Sequence, residues 1–199
     1  MNKMMTKTLG LALALCAGAA NANLLVNGGF EDNNVAAGSW QYYSASDVNG
    51  WDGSNIEIWD SMGGVTAAEG TQHAELNAHP NAGSFSIYQN FATVVGQVYD
   101  VSFFYRARST TSESFHFSVA DLNALIDDHV TTQWNKYMNT FTATGTSTTI
   151  RFTTITPSNS TYGNFLDGVS VTQHVPEPAG YALLALGLIG LGLARRRAA

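Results

Sequence analysis

Apolar and polar positions alternate in short runs through the middle of the chain, between about residues 23 and 174. Every second residue is apolar, and the apolar positions are rich in Val, Ile, Phe and Tyr, which is typical of strands with one buried face. The runs lie at 86–93, 98–106, 115–119, 150–154 and 165–171. Glycine and proline separate them, and no stretch has the 3.6-residue period over the length that a helical bundle needs. The pattern predicts an all-β fold, an antiparallel β-sandwich.

Two segments are less regular. Residues 121–128 (DLNALIDD) are predicted to form one or two helical turns within a loop. Residues 140–161 are crowded with Thr and Ser, which suits either a glycosylated or flexible stalk, or strands whose solvent faces carry hydroxyl groups. Apolar residues recur through this segment, at Phe141, Ile150 and Phe152, and they favour strands.

The first 22 residues are predicted to be a secretory signal peptide. Lys3 and Lys7 precede an apolar run at 9–19, and Ala20-Asn21-Ala22 follows as a cleavage site. The run is too short for a transmembrane helix. The single cysteine, Cys16, lies inside this signal, and Leu15 before it is too large for a lipid-attachment site. The exported domain, residues 23–174, therefore has no disulfide, and its stability depends on its core or on a metal.

The last 25 residues, 175–199, have three parts in a fixed order. An apolar run at about 179–194 follows a short proline-containing motif and precedes an arginine cluster. About 16 apolar residues reach roughly 24 Å as a helix, slightly less than a bilayer core of about 30 Å. The run predicts a short transmembrane helix, and the arginines place its end in the cytoplasm. The motif and cluster residues are Val175, Pro176, Glu177, Pro178, Arg195, Arg196 and Arg197.

This tail resembles the PEP-CTERM sorting signal of Gram-negative bacteria. The resemblance implies that signal peptidase and an exosortase process the protein. It also implies export across the inner membrane, a transient anchor in that membrane, and delivery to the cell surface or extracellular matrix. The same resemblance implies a producer that makes exopolysaccharide, which suggests a role in a biofilm.

The charge of the middle domain limits its partners. Residues 23–174 contain four Lys or Arg against fourteen Asp or Glu, so the balance is 4 − 14 = −10. So acidic a domain repels a phosphate backbone, which excludes nucleic acid as a partner. About 150 residues with many aromatic side chains are enough to build one domain around a single core.

Five segments of the domain carry a second resemblance. They are 23–31 (NLLVNGGFE), 69–77 (EGTQHAELN), 87–91 (IYQNF), 96–103 (GQVYDVSF) and 165–171 (FLDGVSV). The series resembles galactose-binding-like jelly rolls, including carbohydrate-binding modules of families 4, 9 and 22 and exported DUF642-like domains. The resemblance implies a structural Ca²⁺ held by Glu31 and Asp167. Ca²⁺ prefers such carboxylate oxygens, but a turn cap at Glu31 and a polar strand residue at Asp167 explain the same pattern.

Tryptophans are the candidates for sugar contact, because a flat ring beside a carboxylate can bind a pyranose face and its hydroxyls. In 56–60 (IEIWD) Trp59 shares the polar face, with Asp60 next to it in sequence. Trp51 lies among turn-forming residues and is predicted to stand on a loop. Trp40 and Trp134 are as well explained by core packing.

Three functions fit the sequence. The first is a non-catalytic domain that binds polysaccharide, the second a structural or glycosylated matrix protein without a sugar ligand, and the third a glycan hydrolase. A hydrolase needs two positioned carboxylates, and nothing in the sequence selects a pair. The five histidines lack metal-ligand spacing, and no nucleophile or phosphate-loop motif is present. We therefore predict that the protein is not an enzyme.

Overall fold

The computed structural model describes residues 22–78, 85–158 and 160–175. In these residues eleven strands and two short 3₁₀ turns, Ala45–Asp47 and Met62–Gly64, make up the regular structure. The strands are β1 Ser39–Tyr43, β2 Asp52–Gly53, β3 Ile56–Asp60, β4 Gln72–Glu75, β5 Ser86–Ala92, β6 Val98–Arg106, β7 Ser114–Val119, β8 Leu122–Ile126, β9 Asn135–Thr142, β10 Ser147–Thr156 and β11 Phe165–Gln173.

The strands form two antiparallel sheets. The six-stranded sheet has the order β1-β3-β4-β11-β6-β9, and the five-stranded sheet has the order β2-β5-β10-β7-β8. The inner faces of both sheets carry the alternating apolar residues that the sequence pattern predicts. Phe103 lies near the centre, with its ring 4.9 Å from Phe117, 5.1 Å from Phe152 and 4.8 Å from Tyr137. The predicted antiparallel β-sandwich is confirmed.

One predicted element is wrong. Residues 121–128 form no helical turn; they contain β8, which pairs with β7 in a hairpin. The hairpin loop has only two residues, Ala120 and Asp121, and Ala120 has a positive φ of 48°. Residues 140–161 do form strands, β9 and β10, as the apolar spacing predicts.

The first residues of the domain pair with its last strand. The Leu24 amide donates to the Val171 carbonyl at 2.8 Å. The Asn23 side chain donates to the Val169 carbonyl at 3.0 Å and accepts from the Val171 amide at 2.9 Å. Gly28 crosses so close to β11 that a Cβ would overlap the Val169 carbonyl oxygen, which explains the glycine in NGGFE.

The predicted signal peptide, except its last residue, and the tail from residue 176 onward lie outside the described residues. Among the residues that are described, no helix has the length and apolar character to span a membrane.

Candidate functional site

The outer face of the six-stranded sheet gathers aromatic and acidic side chains from neighbouring strands. Since Ile56 and Ile58 of β3 point into the core, Glu57 and Trp59 point outward. The strand register then places Trp59 beside Trp40 of β1 and Glu57 beside Glu75 of β4. The outer face at this edge therefore carries two rings and two carboxyl groups.

A guanidinium group completes a layered stack at this edge. The Trp40 and Trp59 rings are nearly parallel, with centroids 6.2 Å apart and 19° between their planes. The Cζ atom of Arg108 lies 4.6 Å from the centroid of Trp59 and 4.0 Å from that of Tyr162. Cation–π attraction on both sides of Arg108 holds the Tyr162 loop against the sheet.

The buried carboxylate of Glu75 fixes the position of the Arg108 guanidinium. Its Nη1 donates to both carboxylate oxygens of Glu75 at 2.8 Å and to the Thr161 carbonyl at 3.1 Å. Glu75 is fully buried, and it also accepts from the Gly163 amide at 2.7 Å. Burial raises the pKa of Glu75 well above its ordinary value; Arg108 opposes the rise, while the charge and hydrogen bond of Glu57 add to it.

These residues surround a cavity of about 340 Å³, which we call the Arg108 pocket. It is lined by Trp40, Glu57, Arg108, Thr161 and Tyr162. The rings offer apolar faces, the guanidinium offers N–H donors, and the carboxylate offers acceptors. That mixture suits a ligand whose hydroxyl groups both donate and accept hydrogen bonds.

Trp59 lies on the predicted face but is only 5% exposed. Trp40 and Arg108 stack on it, and Phe165 packs against its edge at 5.2 Å. Trp59 therefore supports the lining residues from beneath and does not itself line the pocket; the accessible rings are Trp40, 37% exposed, and Tyr162, 57% exposed. 

Asp60 does not share the face of Trp59, because adjacent strand residues point in opposite directions. The carboxylate beside Trp59 is Glu57, which accepts a hydrogen bond of 3.2 Å from the indole Nε1. The structure thus gives Glu57 the place beside the ring that the sequence suggested for Asp60.

Trp51 belongs to the core. It is 3% exposed, stacks on Phe30 with centroids 5.2 Å apart, and donates from Nε1 to the Asn27 carbonyl at 3.0 Å. Trp51 does stand on a loop, as predicted, but its buried ring is not accessible to a sugar. Its flanking turn residues describe the backbone correctly but do not reveal which way the ring points.

The middle of the same outer face is filled by protein side chains. Trp134 packs on His73 at 5.3 Å, and its Nε1 donates to the Thr66 carbonyl at 2.9 Å. His73 is fully buried; burial first, and then the charge of Arg106, lower its pKa to about 3. The neutral imidazole is a packing residue here and offers no accessible ring to a ligand.

A second concavity of about 440 Å³ lies at the other end of this face, over β6, β9 and β11. Asp100, Ser102, Met138, Thr140 and Thr172 are among its lining residues, and no aromatic ring is. Without a ring to contact a pyranose face, this polar groove is a weaker candidate for sugar binding.

Glu31 and Asp167 both hold the loop before β4. Glu31 Oε1 accepts from the amides of Thr71 at 2.8 Å and Gln72 at 2.9 Å, and Oε2 accepts from the Thr71 hydroxyl at 3.0 Å. Gly70 in this loop lies against the Glu31 carboxylate. Glu31 therefore caps this loop, which is the alternative to calcium binding that the sequence allowed, although the contact spans forty residues of sequence.

Asp167 is fully buried and accepts hydrogen bonds from the first half of the same loop. Its Oδ2 accepts from the amides of Ala68 at 2.7 Å and Glu69 at 3.0 Å, and its Oδ1 accepts from the Gly168 amide at 2.6 Å. Burial raises its pKa to about 7, against the opposing effect of these three amides.

The donor chemistry of these two carboxylates fits Ca²⁺, because each keeps one oxygen with a single hydrogen-bond donor. Among the described residues, however, no three His, Cys, Asp or Glu side chains are grouped as metal ligands. Backbone carbonyls would have to supply the remaining ligands. Calcium binding at Glu31 and Asp167 stays a prediction.

Sequence reasoning missed Arg108 and Tyr162. Both lie outside the strands, at positions without periodicity, and they meet the sheet only through the fold. One signal was available: Arg108 is one of four cations in a domain of charge −10, and a rare cation among many carboxylates tends to be paired.

Comparison with known proteins decides the family. The sequence profile described as "Protein of unknown function (DUF642)" matches residues 23–172. The chain belongs to the DUF642 family. The PEP-CTERM protein-sorting motif matches residues 174–197, and it indicates exosortase processing, export and sorting to the cell envelope or surface.

This DUF642 domain is also similar to parts of larger proteins. Halomucin of Haloquadratum walsbyi is 28% identical over 204 residues, covering 92% of this chain but only 2% of halomucin. An arabinose-bound α-L-arabinofuranosidase, MgGH51, aligns with a TM-score of 0.50 and 15% identity, over 76% of this chain and 26% of the enzyme. That likeness shows the fold alone.

Two smaller solved domains align over nearly their whole length. TmCBM61 in complex with β-1,4-galactotriose has a TM-score of 0.49 and 17% identity, over 77% of this chain and 99% of that chain. The CBM22-1 xylan-binding domain of Paenibacillus barcinonensis Xyn10C has a TM-score of 0.48 and 13% identity, over 81% of this chain and 100% of that chain.

Proposed function

We propose that this exported domain binds polysaccharide without cleaving it, and that the Arg108 pocket is the binding site. The observation that carries the proposal is the stack of Trp40, Trp59, Arg108 and Tyr162 beside Glu57. Sorting to the envelope by the PEP-CTERM tail would bring this pocket to the extracellular polysaccharide of a biofilm.

The charges around the pocket favour a neutral glycan. The positive charge of Arg108 is paired with Glu75, and Glu57 adds a further carboxylate to the lining. The domain as a whole has four Lys or Arg against fourteen Asp or Glu, a formal charge of 4 − 14 = −10. A uronate or sulfate group on a glycan therefore gains no net electrostatic attraction. A cavity of about 340 Å³ has room for one or two sugar residues, since small-molecule pockets start near 300 Å³.

The arrangement of the two carboxyl groups argues against hydrolysis. Glycosidases separate their acid and their base or nucleophile by about 5–9.5 Å so that the scissile bond fits between them. Glu57 and Glu75 are hydrogen-bonded to each other, and Glu75 also accepts from Arg108 and Gly163. No substrate atom can enter between them.

Affinity electrophoresis of residues 23–175 tests the proposal, in gels that contain neutral glycans or their uronate-containing counterparts. We expect retardation in neutral gels, and loss of retardation in Trp40→Ala and Tyr162→Ala. Met138→Ala, an exposed apolar residue in the polar groove, is the matched control and should bind as the unmodified domain does.

Other outcomes are informative. Retardation that disappears only in Met138→Ala would move the site to the polar groove. Preference for uronate gels would refute the neutral-glycan inference but not sugar binding. Uniform mobility in every gel would contradict the proposed function and favour a structural matrix protein.

We also propose that Glu31 and Asp167 bind a structural Ca²⁺. An ion that binds only the folded domain raises its free energy of unfolding, by about 2.7 kcal/mol at a hundredfold excess over Kd. Calcium should therefore raise the melting temperature of the unmodified domain. Glu31→Gln and Asp167→Asn should each remove that increase, and an increase that survives both substitutions would exclude this site.

A further inference from the structure

The chain leaves the sandwich very close to its predicted membrane anchor. Strand β11 ends at Gln173, and the His174 amide donates to the Val98 carbonyl at 3.0 Å. The apolar run predicted to enter the membrane begins at about residue 179. The four residues 175–178 span at most about 14 Å when fully extended. An inserted tail therefore holds this end of the sandwich against the bilayer surface.

The end that faces the bilayer is apolar at its tip. The turn between β5 and β6 exposes Val94 and Val95, at 61% and 60%. The turn between β9 and β10 lies beside it, because the Gly96 amide donates to the Ala143 carbonyl at 2.8 Å. Val175, at the start of the tail, is exposed at the same end. We call the two turns, residues 93–98 and 143–147, the tail-side tip.

The tail-side tip is also uncharged. Residues 93–98 and 143–147 contain no Asp, Glu, Lys or Arg, although the domain has a balance of 4 − 14 = −10. Charged groups flank the tip: Asp100 pairs with His174 at 2.8 Å, and the exposed Asp121 lies in the β7–β8 loop, whose Ala120 lines a shallow concavity together with Thr144 and Ser147. Acidic surfaces are repelled by anionic lipid headgroups, so two uncharged turns with exposed valines are the part of this end best suited to lie on a membrane.

We propose that the tail-side tip rests on the lipid bilayer while the tail is uncleaved. Two exposed valines alone would bind a membrane weakly. The short connection of residues 175–178 to the inserted tail, however, keeps the valines at a high local concentration at the bilayer surface. Docking in this way fixes the orientation of the domain and directs the outer face of the six-stranded sheet sideways, along the membrane. The inference rests on insertion of the tail and not on sugar binding.

Site-specific fluorescence in proteoliposomes tests this contact with the chain from residue 23 to 199. That chain has no cysteine, so Val95→Cys gives a single labelling site for an environment-sensitive dye. Ser109→Cys is the control, since it is exposed and follows β6 at the end of the strand opposite to Val98. We expect a blue-shifted emission and quenching by nitroxide lipids at position 95 and neither at position 109.

Each alternative result overturns the proposal. The same solvent-like emission at 95 and 109, in a chain that floats with the vesicles, would show that the tip stays in water. A chain that does not float with vesicles would refute the anchoring on which the contact depends. A blue shift at 95 that rises with protein concentration in detergent, without vesicles, would assign the valines to a contact between two copies.

Discussion

Trp40 and Trp51 differ in burial although each lies among polar or turn-forming neighbours. Trp51 is held in the core by Phe30 and by a hydrogen bond to the Asn27 carbonyl, whereas Trp40 is on an edge strand and covers Trp59. Local sequence does not separate the two cases, because the direction of each ring is decided by residues far away in the chain.

The two tryptophans should respond differently to truncation. We expect Trp51→Ala to lower the free energy of unfolding by about 3–5 kcal/mol, as large core aromatics do. Trp40→Ala should lower it much less while weakening glycan binding. Urea unfolding of both variants measures the difference; equal losses of stability would contradict the assignment of Trp51 to the core and Trp40 to the site.

Asp167 should make stability depend on pH. Its folded-state pKa, about 7, is higher than its ordinary value of 3.8, so the folded domain binds the proton more tightly than the unfolded chain. The contribution of Asp167 to the free energy of unfolding is fully present below about pH 4 and is lost as the pH rises to about 7. The stability of the unmodified domain relative to Asp167→Asn should therefore fall across this range in urea unfolding without calcium. A constant difference would refute the raised pKa.

At the level of elements, the alternation of apolar and polar residues predicts a strand well where one of its faces is buried and the other is exposed. β6 has the predicted limits, Val98–Arg106, since its buried and half-buried residues alternate. β4 shows no such alternation, because all four residues of Gln72–Glu75 are buried: one side faces the core and the other is covered by loops. β8 was missed because Leu122–Ile126 is short and its spacing also suits a helical turn.

The same limit applies to the site. The outward face of Trp59 follows from the alternation in β3, so this ring of the stack could be predicted, whereas Trp40 was as well explained by core packing. Arg108 and Tyr162 come from loops that reach the sheet only in the folded chain. The ion pair of Arg108 with Glu75 joins residues 33 apart in sequence, and no local pattern reports it.

The loop before β4 offers a matched pair of glycine substitutions. Gly70 and Gly63 have similar positive φ values, 62° and 64°, so alanine at either costs about 1–2 kcal/mol of backbone strain. Only at Gly70 would the new Cβ overlap the Glu31 carboxylate; at Gly63 nothing lies within 4 Å. Gly70→Ala should therefore be the more destabilising in thermal unfolding. Equal losses would show that the Glu31 contact adds nothing to stability.

For the whole molecule, the sorting motif predicts a processing defect. Replacing Pro176, Glu177 and Pro178 with alanine should leave the tail attached, since the matched motif spans residues 174–197. Immunoblots of fractionated producer cells should then show a larger protein retained in the membrane fraction. Tyr162→Ala, which changes a residue of the Arg108 pocket far from the sorting motif in sequence, should be processed normally. Normal processing of the triple variant would contradict recognition through this motif.

The position of β11 has a mechanical consequence. The strand that continues into the tail is an interior strand, with β6 along one side and β4 and then residues 23–28 along the other. With the tail anchored and a glycan bound as proposed, tension between them would be directed along β11. The hydrogen bonds on its two sides are loaded together in shear, and strands sheared in this way resist separation far better than strands peeled apart bond by bond. Under the proposed function, the domain would transmit a pull from a bound polysaccharide to an uncleaved tail along its most strongly paired strand.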